Sequence, residues 1–187
     1  MNLTHARRLA AAIAIVGTAV LLPSAALAAS SGTAAPQAPA AGRCLTSELT
    51  AWIGWPGNGT AGSTFYQLEI SNISGRTCTL YGYPGVSAMR NGGQIGSPAD
   101  RSTSHPDSLV TLRPGATAHV ILQVTDVGVY GPSVCHMEQA FSLRVYAPGD
   151  YGWHQVPLTF NACANQGPIF LRVSTTLAGT GIPGYSH

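Results

Sequence analysis

The chain has 187 residues, a length that fits one domain with terminal extensions, and only 9% of its residues are charged. All nine basic residues are arginines, and the formal net charge is +2. Because the charges are few and scattered, the composition excludes a basic surface for nucleic acid, an acidic tail and a polybasic membrane patch.

Residues 1–28 have the pattern of a secretory signal peptide. Arg7 and Arg8 form a positive start, an apolar run extends from Leu9 to Leu22, and residues 26–28 supply a small-x-small cleavage pattern. The apolar run is shorter than the about 20 residues that a transmembrane helix needs. We therefore predict cleavage and export, without stable insertion in a membrane. Cleavage would leave seven arginines and seven acids, a formal net charge of 7 − 7 = 0.

Residues 29–43 are mainly alanine, serine, glycine and proline, and they include no large apolar side chain. Such a segment buries too little surface to offset its ordering entropy, so we predict a disordered linker. The folded domain is expected over residues 44–177, and residues 178–187 are expected to form a flexible tail.

Four cysteines follow the predicted signal, and their even number in an exported chain favours two disulfide bonds. Zinc binding is the alternative, but the sequence has no Cys-x-x-Cys pair and its cysteine spacings differ from those of structural zinc sites. The cysteine positions by themselves leave three pairings open. The four residues are Cys44, Cys78, Cys135 and Cys163.

Apolar residues alternate with polar ones along most of the domain, and a period of two predicts β-strands rather than helices. Turn-forming sequences separate the strands, such as Asn91-Gly92, whose residues accept the positive φ of a hairpin turn. About eight or nine short strands at this spacing predict an all-β fold, an antiparallel β-sandwich. The candidate strands are Leu49–Ile53, Thr64–Asn72, Cys78–Tyr81, Val86–Arg90, Leu109–Leu112, Ala116–Val124, Phe141–Val145, His154–Phe160 and Ile169–Val173.

The alternation also assigns individual side chains to the two faces of a strand. Phe141, Leu143 and Val145 are expected to share one face of their strand. Glu69 is expected on the solvated face of its strand, between apolar neighbours that point into the core.

Strand direction favours one of the three disulfide pairings. If the first two candidate strands are antiparallel neighbours, Cys44 before the first and Cys78 after the second lie at the same end of the pair. If the seventh and eighth strands form a hairpin, Cys135 and Cys163 flank its open end. We therefore predict the disulfides Cys44–Cys78 and Cys135–Cys163.

One stretch of the domain has a distinctive sequence. It reads Gly75-Arg-Thr-Cys-Thr-Leu-Tyr-Gly-Tyr-Pro-Gly-Val86, with Cys44-Leu-Thr before it and Leu112-Arg-Pro-Gly-Ala-Thr-Ala118 after it. Over about residues 44–175 the chain resembles a family of exported actinobacterial proteins that share domain of unknown function 4232. The resemblance implies an immunoglobulin-like β-sandwich of the cell exterior, and it brings no assigned activity and no catalytic residues. The chain lacks the cysteine that lipoprotein members carry at the cleavage site.

The sequence contains few of the elements of a catalytic site. It has no Gly-x-Ser-x-Gly elbow, His-Glu-x-x-His motif, phosphate-binding loop or dinucleotide fingerprint. Its acids are expected mostly in turns or at outward strand positions, with Glu138 in a loop, so few are placed to form a pair of catalytic carboxylates. We expect no enzymatic activity and no cofactor, and an extracellular hydrolase is the alternative.

His136 and Met137 are the candidate metal ligands. They lie beside Cys135, and imidazole and thioether groups are ligands that suit copper(I). The clustered His and Met repeats expected of a copper carrier are missing, so a surface histidine in a loop is the simpler interpretation. Extracellular copper handling is therefore the alternative function.

Trp55 and Trp153 are the candidate ligand-binding residues. Trp55 precedes Pro-Gly-Asn-Gly and Trp153 follows Tyr151-Gly152, so both are expected at loops. Aromatic side chains at loop tips stack on sugar rings or anchor protein partners, or else they cover the ends of the core. We predict an extracellular, non-enzymatic binding module of the cell envelope, whose partner is an unknown protein or a cell-wall glycan and not a nucleic acid.

Overall fold

A computed structural model describes residues 41–180 of the chain, except for the side chains of Trp55 and Pro56. The predicted signal peptide lies outside these residues, as do most of the predicted linker and most of the predicted C-terminal tail. Paired backbone begins at Gly42, whose carbonyl accepts a 3.0 Å hydrogen bond from Thr79 N, so the pairing starts slightly before Cys44. Within residues 41–180, no helix is long and apolar enough to cross a membrane.

The described residues form twelve β-strands, two short 3-10 segments and one short helix. In chain order they are η1 (Thr46–Glu48), β1 (Leu49–Thr60), β2 (Ser63–Asn72), β3 (Cys78–Tyr81), β4 (Gly85–Arg90), β5 (Gly93–Ile95), β6 (Asp100–Arg101), β7 (Leu109–Leu112), β8 (Thr117–Thr125), η2 (Val127–Val129), α1 (Pro132–Cys135), β9 (Met137–Tyr146), β10 (Trp153–Cys163), β11 (Leu171–Val173) and β12 (Leu177–Ala178).

The strands assemble into an all-β sandwich with three sheets. The largest sheet has six strands in the order β1-β2-β8-β11-β6, with β12 also paired to β8. A four-stranded sheet has the order β10-β9-β4-β5, and β3 pairs with β7 in a two-stranded sheet. The predicted fold class is confirmed, and its immunoglobulin-like character stays a prediction.

Each of the nine predicted strands is present, but the twelve observed strands exceed the predicted eight or nine. The three additional strands, β5, β6 and β12, have only two or three residues, too few for an alternation to be visible in the sequence. One pairing, between β6 and β11, is parallel rather than antiparallel. This pairing joins strands far apart in the chain, so no hairpin turn fixes their relative direction.

Two clusters of buried side chains form the core of the sandwich. The larger cluster takes residues from both large sheets, including Leu122 and Leu143, together with Phe170 just before β11. The smaller cluster surrounds the Cys44–Cys78 disulfide and includes Leu80 and Leu112 of the two-stranded sheet. Because burying one such side chain contributes about 1.5–3 kcal/mol, these two clusters hold the three sheets together.

Both predicted disulfide pairings are confirmed. Cys44 is bonded to Cys78, and Cys135 is bonded to Cys163. All four cysteines are buried. The predicted strand neighbours are confirmed as well, since β1 pairs antiparallel with β2 and β9 pairs antiparallel with β10. Each disulfide therefore lies where the start of one strand is beside the end of its partner.

The predicted hairpin turn between β4 and β5 is also confirmed. Asn91 and Gly92 have φ angles of +49° and +80°, and Arg90 lies opposite Gly93. Only residues that tolerate positive φ fit both central positions of such a turn. The turn residues therefore fix the register between β4 and β5.

Glu69 is buried, although the alternation places it on a solvated face; its side chain is only 3% exposed. It lies between Trp52 of β1 and His119 of β8, which pair with it across the sheet. Its Cγ lies only 2.5 Å from the position that a Cβ on Gly54 would occupy, so the side chain fills the space beside a glycine. The alternation therefore predicts the side of β2 on which Glu69 lies, but it does not predict that residues of the neighbouring strands cover Glu69.

Asn72 is a fully buried polar residue that joins three segments of the smaller cluster. Its Nδ2 donates to the carbonyls of Leu112 at 3.0 Å and Arg76 at 2.8 Å, and its Oδ1 accepts from Ser74 N at 2.9 Å. Its backbone nitrogen donates to Ala116 O at 3.0 Å. One side chain thus connects the end of β2 to the turn before β3 and to the end of β7.

We predict that Asn72→Ala lowers the free energy of unfolding by about 2–4 kcal/mol, because the substitution leaves buried carbonyls without donors. Urea unfolding followed by circular dichroism measures the change. Asn58→Ala is the matched control, since Asn58 is exposed in β1, and its effect should stay within about 0.5 kcal/mol. Equal effects of the two substitutions would contradict the assigned role of Asn72.

Candidate functional site

Trp153 is the first residue of β10 and lies opposite Tyr146 of β9. The prediction that Trp153 lies in a loop is therefore wrong. The turn that includes Asp150 ends before Trp153, so the pairing of β10 with β9 begins at Trp153. The Trp153 side chain is 48% exposed. It is presented by the backbone of a strand, which restricts its orientation more than a loop would.

Burial places Trp153 on the outer face of the four-stranded sheet. Val86 of β4 and Val145 of β9 lie opposite each other and are both buried in the core. Successive side chains of a strand point to opposite faces, so the neighbouring Arg144 and Tyr146 point outward. Trp153 pairs with Tyr146 and shares this outer face.

Contacts with its neighbours hold the aromatic part of this face in place. The guanidinium carbon of Arg144 lies 5.0 Å from the centre of the Trp153 ring, a cation–π contact of about 0.5–2 kcal/mol. Tyr146 lies against Gly85 of β4, where an added Cβ would be 3.2 Å from the tyrosine ring. The missing side chain at Gly85 thus leaves room for the tyrosine.

Phe141 is exposed, although the alternation places it in the row of Leu143 and Val145. Phe141 is 48% exposed, whereas Leu143 and Val145 are buried. The pairing of β9 with β10 shifts register between Pro157 and Phe160, where β10 contains one extra residue. Phe141 lies next to this bulge, where the regular pairing of β9 with β4 ends.

Arg90 lies beside Phe141, with its guanidinium carbon 5.5 Å from the centre of the ring. Its Nε is 2.9 Å from Glu138 Oε2, and its Nη1 donates to Gln139 O at 2.8 Å. Glu138 therefore lies in β9 rather than in the predicted loop. Its carboxylate compensates the charge of Arg90, whereas Arg144 forms no ion pair within residues 41–180.

We call the outer surface of these strands the Trp153 face, defined by Trp153, Arg144 and Tyr146. Of these three residues, only Trp153 is singled out by the sequence. The alternation of β9 places Arg144 on the face of the strand away from the buried Val145. It does not predict that Trp153 lies beside Arg144.

The backbone around Trp153 is anchored to the segment that follows Cys44. Thr46 N donates to Asp150 Oδ2 at 2.6 Å, and Thr46 Oγ1 donates to Gly152 O at 3.0 Å. On the other side of Trp153, His154 Nε2 lies 3.0 Å from Thr46 O. The hydrogen bonds from Thr46, with another from the backbone of the residue after Asp150, lower the pKa of Asp150 from 3.8 to about 2.

Trp55 lies in β1 opposite Gln67, so the prediction that it lies in a loop is also wrong. The register of β1 against β2 shifts on each side of Trp55, and these irregularities let the ladder continue to Thr60 despite the glycines and proline of this segment. β1 belongs to the six-stranded sheet and β10 to the four-stranded sheet. The two predicted ligand-binding tryptophans therefore lie on different sheets.

His136 ends α1 with a φ of +46°, and its backbone nitrogen donates to Pro132 O at 2.9 Å. Met137 is the first residue of β9, and its side chain is exposed. The described part of the chain contains no group of three or more His, Cys, Asp or Glu residues that could hold a metal ion. Copper binding therefore stays a prediction that rests on the sequence.

A comparison with protein families assigns the chain to a family. The family model described as "Domain of unknown function (DUF4232)" matches residues 44–176. The chain belongs to the DUF4232 family. The resemblance of the sequence to this family is thereby confirmed, and the DUF4232 domain contains both disulfides and the whole Trp153 face. No curated protein and no solved structure matches the chain significantly.

The lowered pKa of Asp150 predicts a specific dependence of stability on pH. A carboxyl group whose pKa is lower in the folded state stabilises the DUF4232 domain above its unfolded pKa. For Asp150 this stabilisation is present above about pH 4 and is lost as the pH falls toward 2, the folded value. Wild type should therefore lose more thermal stability on acidification than Asp150→Asn.

Thermal unfolding at about pH 5 and about pH 2.5 tests this prediction. Asp150→Asn should be less stable than wild type at the higher pH, and the difference should shrink at the lower pH. Asp107→Asn is the control, because Asp107 is exposed and its side chain forms no hydrogen bond within the described residues. A stability difference between wild type and Asp150→Asn that does not change with pH would contradict the prediction.

Proposed function

We propose that the protein is an exported binding module that docks a protein partner through the Trp153 face. The observation that carries this proposal is the half-exposed Trp153 ring held against Arg144 on the outer face of a sheet. Tryptophan, tyrosine and arginine are the residues that most often dominate the binding energy of protein interfaces. The Trp153 face brings all three together in neighbouring strands.

The geometry of the face favours a protein over a glycan. The Arg144 guanidinium lies over the Trp153 ring, so that side of the ring is not free to stack on a sugar. Beside Arg144 the surface is closed, because Ser87, Met89 and Ser142 are buried although their pairing places them in the outward-facing rows. A closed sheet surface suits the broad contact of a protein interface, which covers about 800 Å² on each partner.

The charge of the face indicates the chemistry of the partner. Arg144 of this face forms no ion pair within residues 41–180, unlike Arg90, which is paired with Glu138. Arginine forms its strongest interactions with carboxylates, which accept its parallel N–H groups. The partner is therefore expected to place an acidic side chain next to the Trp153 ring, where opposite charges also speed association.

Two observations support export. Two buried disulfides close the domain, and disulfides persist mainly in the oxidising environment outside the cytosol. Residues 1–28 have the composition and the cleavage pattern of a secretory signal. We therefore propose that the protein meets its partner outside the cytosol.

The proposal predicts that Trp153→Ala and Arg144→Glu each weaken partner binding about tenfold or more, because they remove the ring or reverse the charge at the centre of the face. The measurement is a retention assay, in which immobilised mature protein is incubated with envelope and secreted proteins of the source organism. A specific protein should be retained by wild type and lost with either variant. Its affinity is then measured with purified partner.

Tyr81→Ala is the matched control, since Tyr81 is an exposed aromatic residue on the two-stranded sheet. This variant should retain the same protein as wild type. A protein that all four versions retain equally would contradict the proposal, and so would retention of cell-wall glycan without any protein.

A further inference from the structure

A cavity of about 320 Å³ lies at the end of the sandwich where the β1–β2 hairpin turns. Its lining comes from this hairpin, from the end of β8 with the start of η2, and from β10. Both large sheets therefore contribute to its wall. Its volume lies at the lower end of the range of about 300–1,000 Å³ for pockets that hold small molecules.

Aromatic and aliphatic side chains form the inner part of this end cavity. Phe160 and Val127 are buried in the larger core cluster, and Tyr66 is half-buried against it. The core therefore fixes these side chains in position. They form a small apolar floor, in which Phe160 is 8% exposed and Tyr66 is half-buried.

Polar side chains surround this floor. The lining includes the hydroxyl groups of Thr60, Thr64 and Thr125 and the amide of Asn161. None of these four side chains forms a hydrogen bond with any residue in the range 41–180. Asp126 accepts from a backbone nitrogen at 2.9 Å through Oδ1, which leaves Oδ2 available. The rim therefore carries several donors and acceptors that are available to a ligand.

A glycine and a bulge shape one wall of the end cavity. A Cβ on Gly57 would lie 2.3 Å from Thr64 Cγ2 and 2.8 Å from the Tyr66 ring, so only glycine lets β1 pass this close. The register of β1 against β2 shifts between Trp55 and Asn58, immediately around this glycine. Bulges of this kind are common next to binding sites, because they change the direction of nearby side chains.

We propose that the end cavity binds one sugar ring, or a neutral polyol of the same size. The threonine hydroxyls and the Asn161 amide can bond to the hydroxyl groups of such a ligand, and the exposed part of Tyr66 can contact its apolar C–H groups. No lysine, arginine or histidine lines the cavity, and Asp126 carries a negative charge at the rim. This set of side chains disfavours phosphates and other anions.

The end cavity is separate from the Trp153 face. Trp153 begins β10 and Asn161 lies near its end, so at a rise of about 3.3 Å per residue the two positions are about 25 Å apart along the strand. The proposal for the end cavity therefore does not depend on the proposal for the Trp153 face. Either can fail without the other.

Titration of the ¹⁵N-labelled mature protein with glucose, N-acetylglucosamine and arabinose tests the proposal by NMR. At least one sugar should cause saturable shifts of the backbone amides of Ser63, Thr125 and Asn161, and sodium acetate at the same concentrations should not. Shifts with none of the three sugars, or shifts confined to the Trp153 face, would overturn the proposal.

A pair of variants tests which residues carry the binding. Asn161→Ala should weaken binding of the active sugar about 3- to 10-fold, the loss expected for one or two hydrogen bonds. Gln139→Ala is the matched control, because Gln139 lies opposite Asn161 in the β9–β10 ladder but does not line the cavity. Equal weakening by both variants, or by neither, would show that the sugar binds elsewhere.

Discussion

The Cys44–Cys78 disulfide is the constraint on which the arrangement of the Trp153 face depends. It closes a loop of sequence separation 34, for which the chain-entropy model gives a stabilisation of about 3–4 kcal/mol. Cys44 N also donates to Thr79 O at 2.9 Å, so the segment after Cys44 follows the edge of β3. This path brings Thr46 to the β9–β10 hairpin, where its hydrogen bonds fix the residues on both sides of Trp153. The Cys44–Cys78 bond thus helps to orient Trp153, which lies in a different sheet.

The sandwich has two kinds of candidate surface. On the outer face of the four-stranded sheet, Trp153, Arg144 and Tyr146 lie together in neighbouring strands. The bulges in β1 act at the end of the other sheet, where the chain passes close to Tyr66 and leaves a small cavity with a polar rim. We propose the first surface for a protein partner with an acidic group and the second for a small neutral ligand. The two proposed sites are independent of each other.

The regular parts of the fold follow from the sequence because they depend on local rules. Period-two alternation predicts eight or nine strands, the Asn91-Gly92 sequence predicts a hairpin turn, and strand direction predicts both disulfides. The irregular parts depend on tertiary contacts that no local pattern contains. β6 exists only because β11 lies beside it, and Glu69 is covered by neighbouring strands. The candidate site belongs to this second kind, since the contact of Arg144 with Trp153 needs two strands, and only Trp153 is visible in the sequence.

The central claim is that the Trp153 face contacts a protein, and a photo-crosslink tests it most directly. Tyr151 is 94% exposed and lies two residues before Trp153, so a photoreactive phenylalanine at this position should leave the fold intact. The same group at Tyr81, exposed on the two-stranded sheet, gives the comparison. Irradiation with envelope and secreted proteins of the source organism should give a protein adduct from position 151 and none from position 81. An adduct from position 81 alone, equal adducts from both, or no adduct from position 151 would contradict the claim.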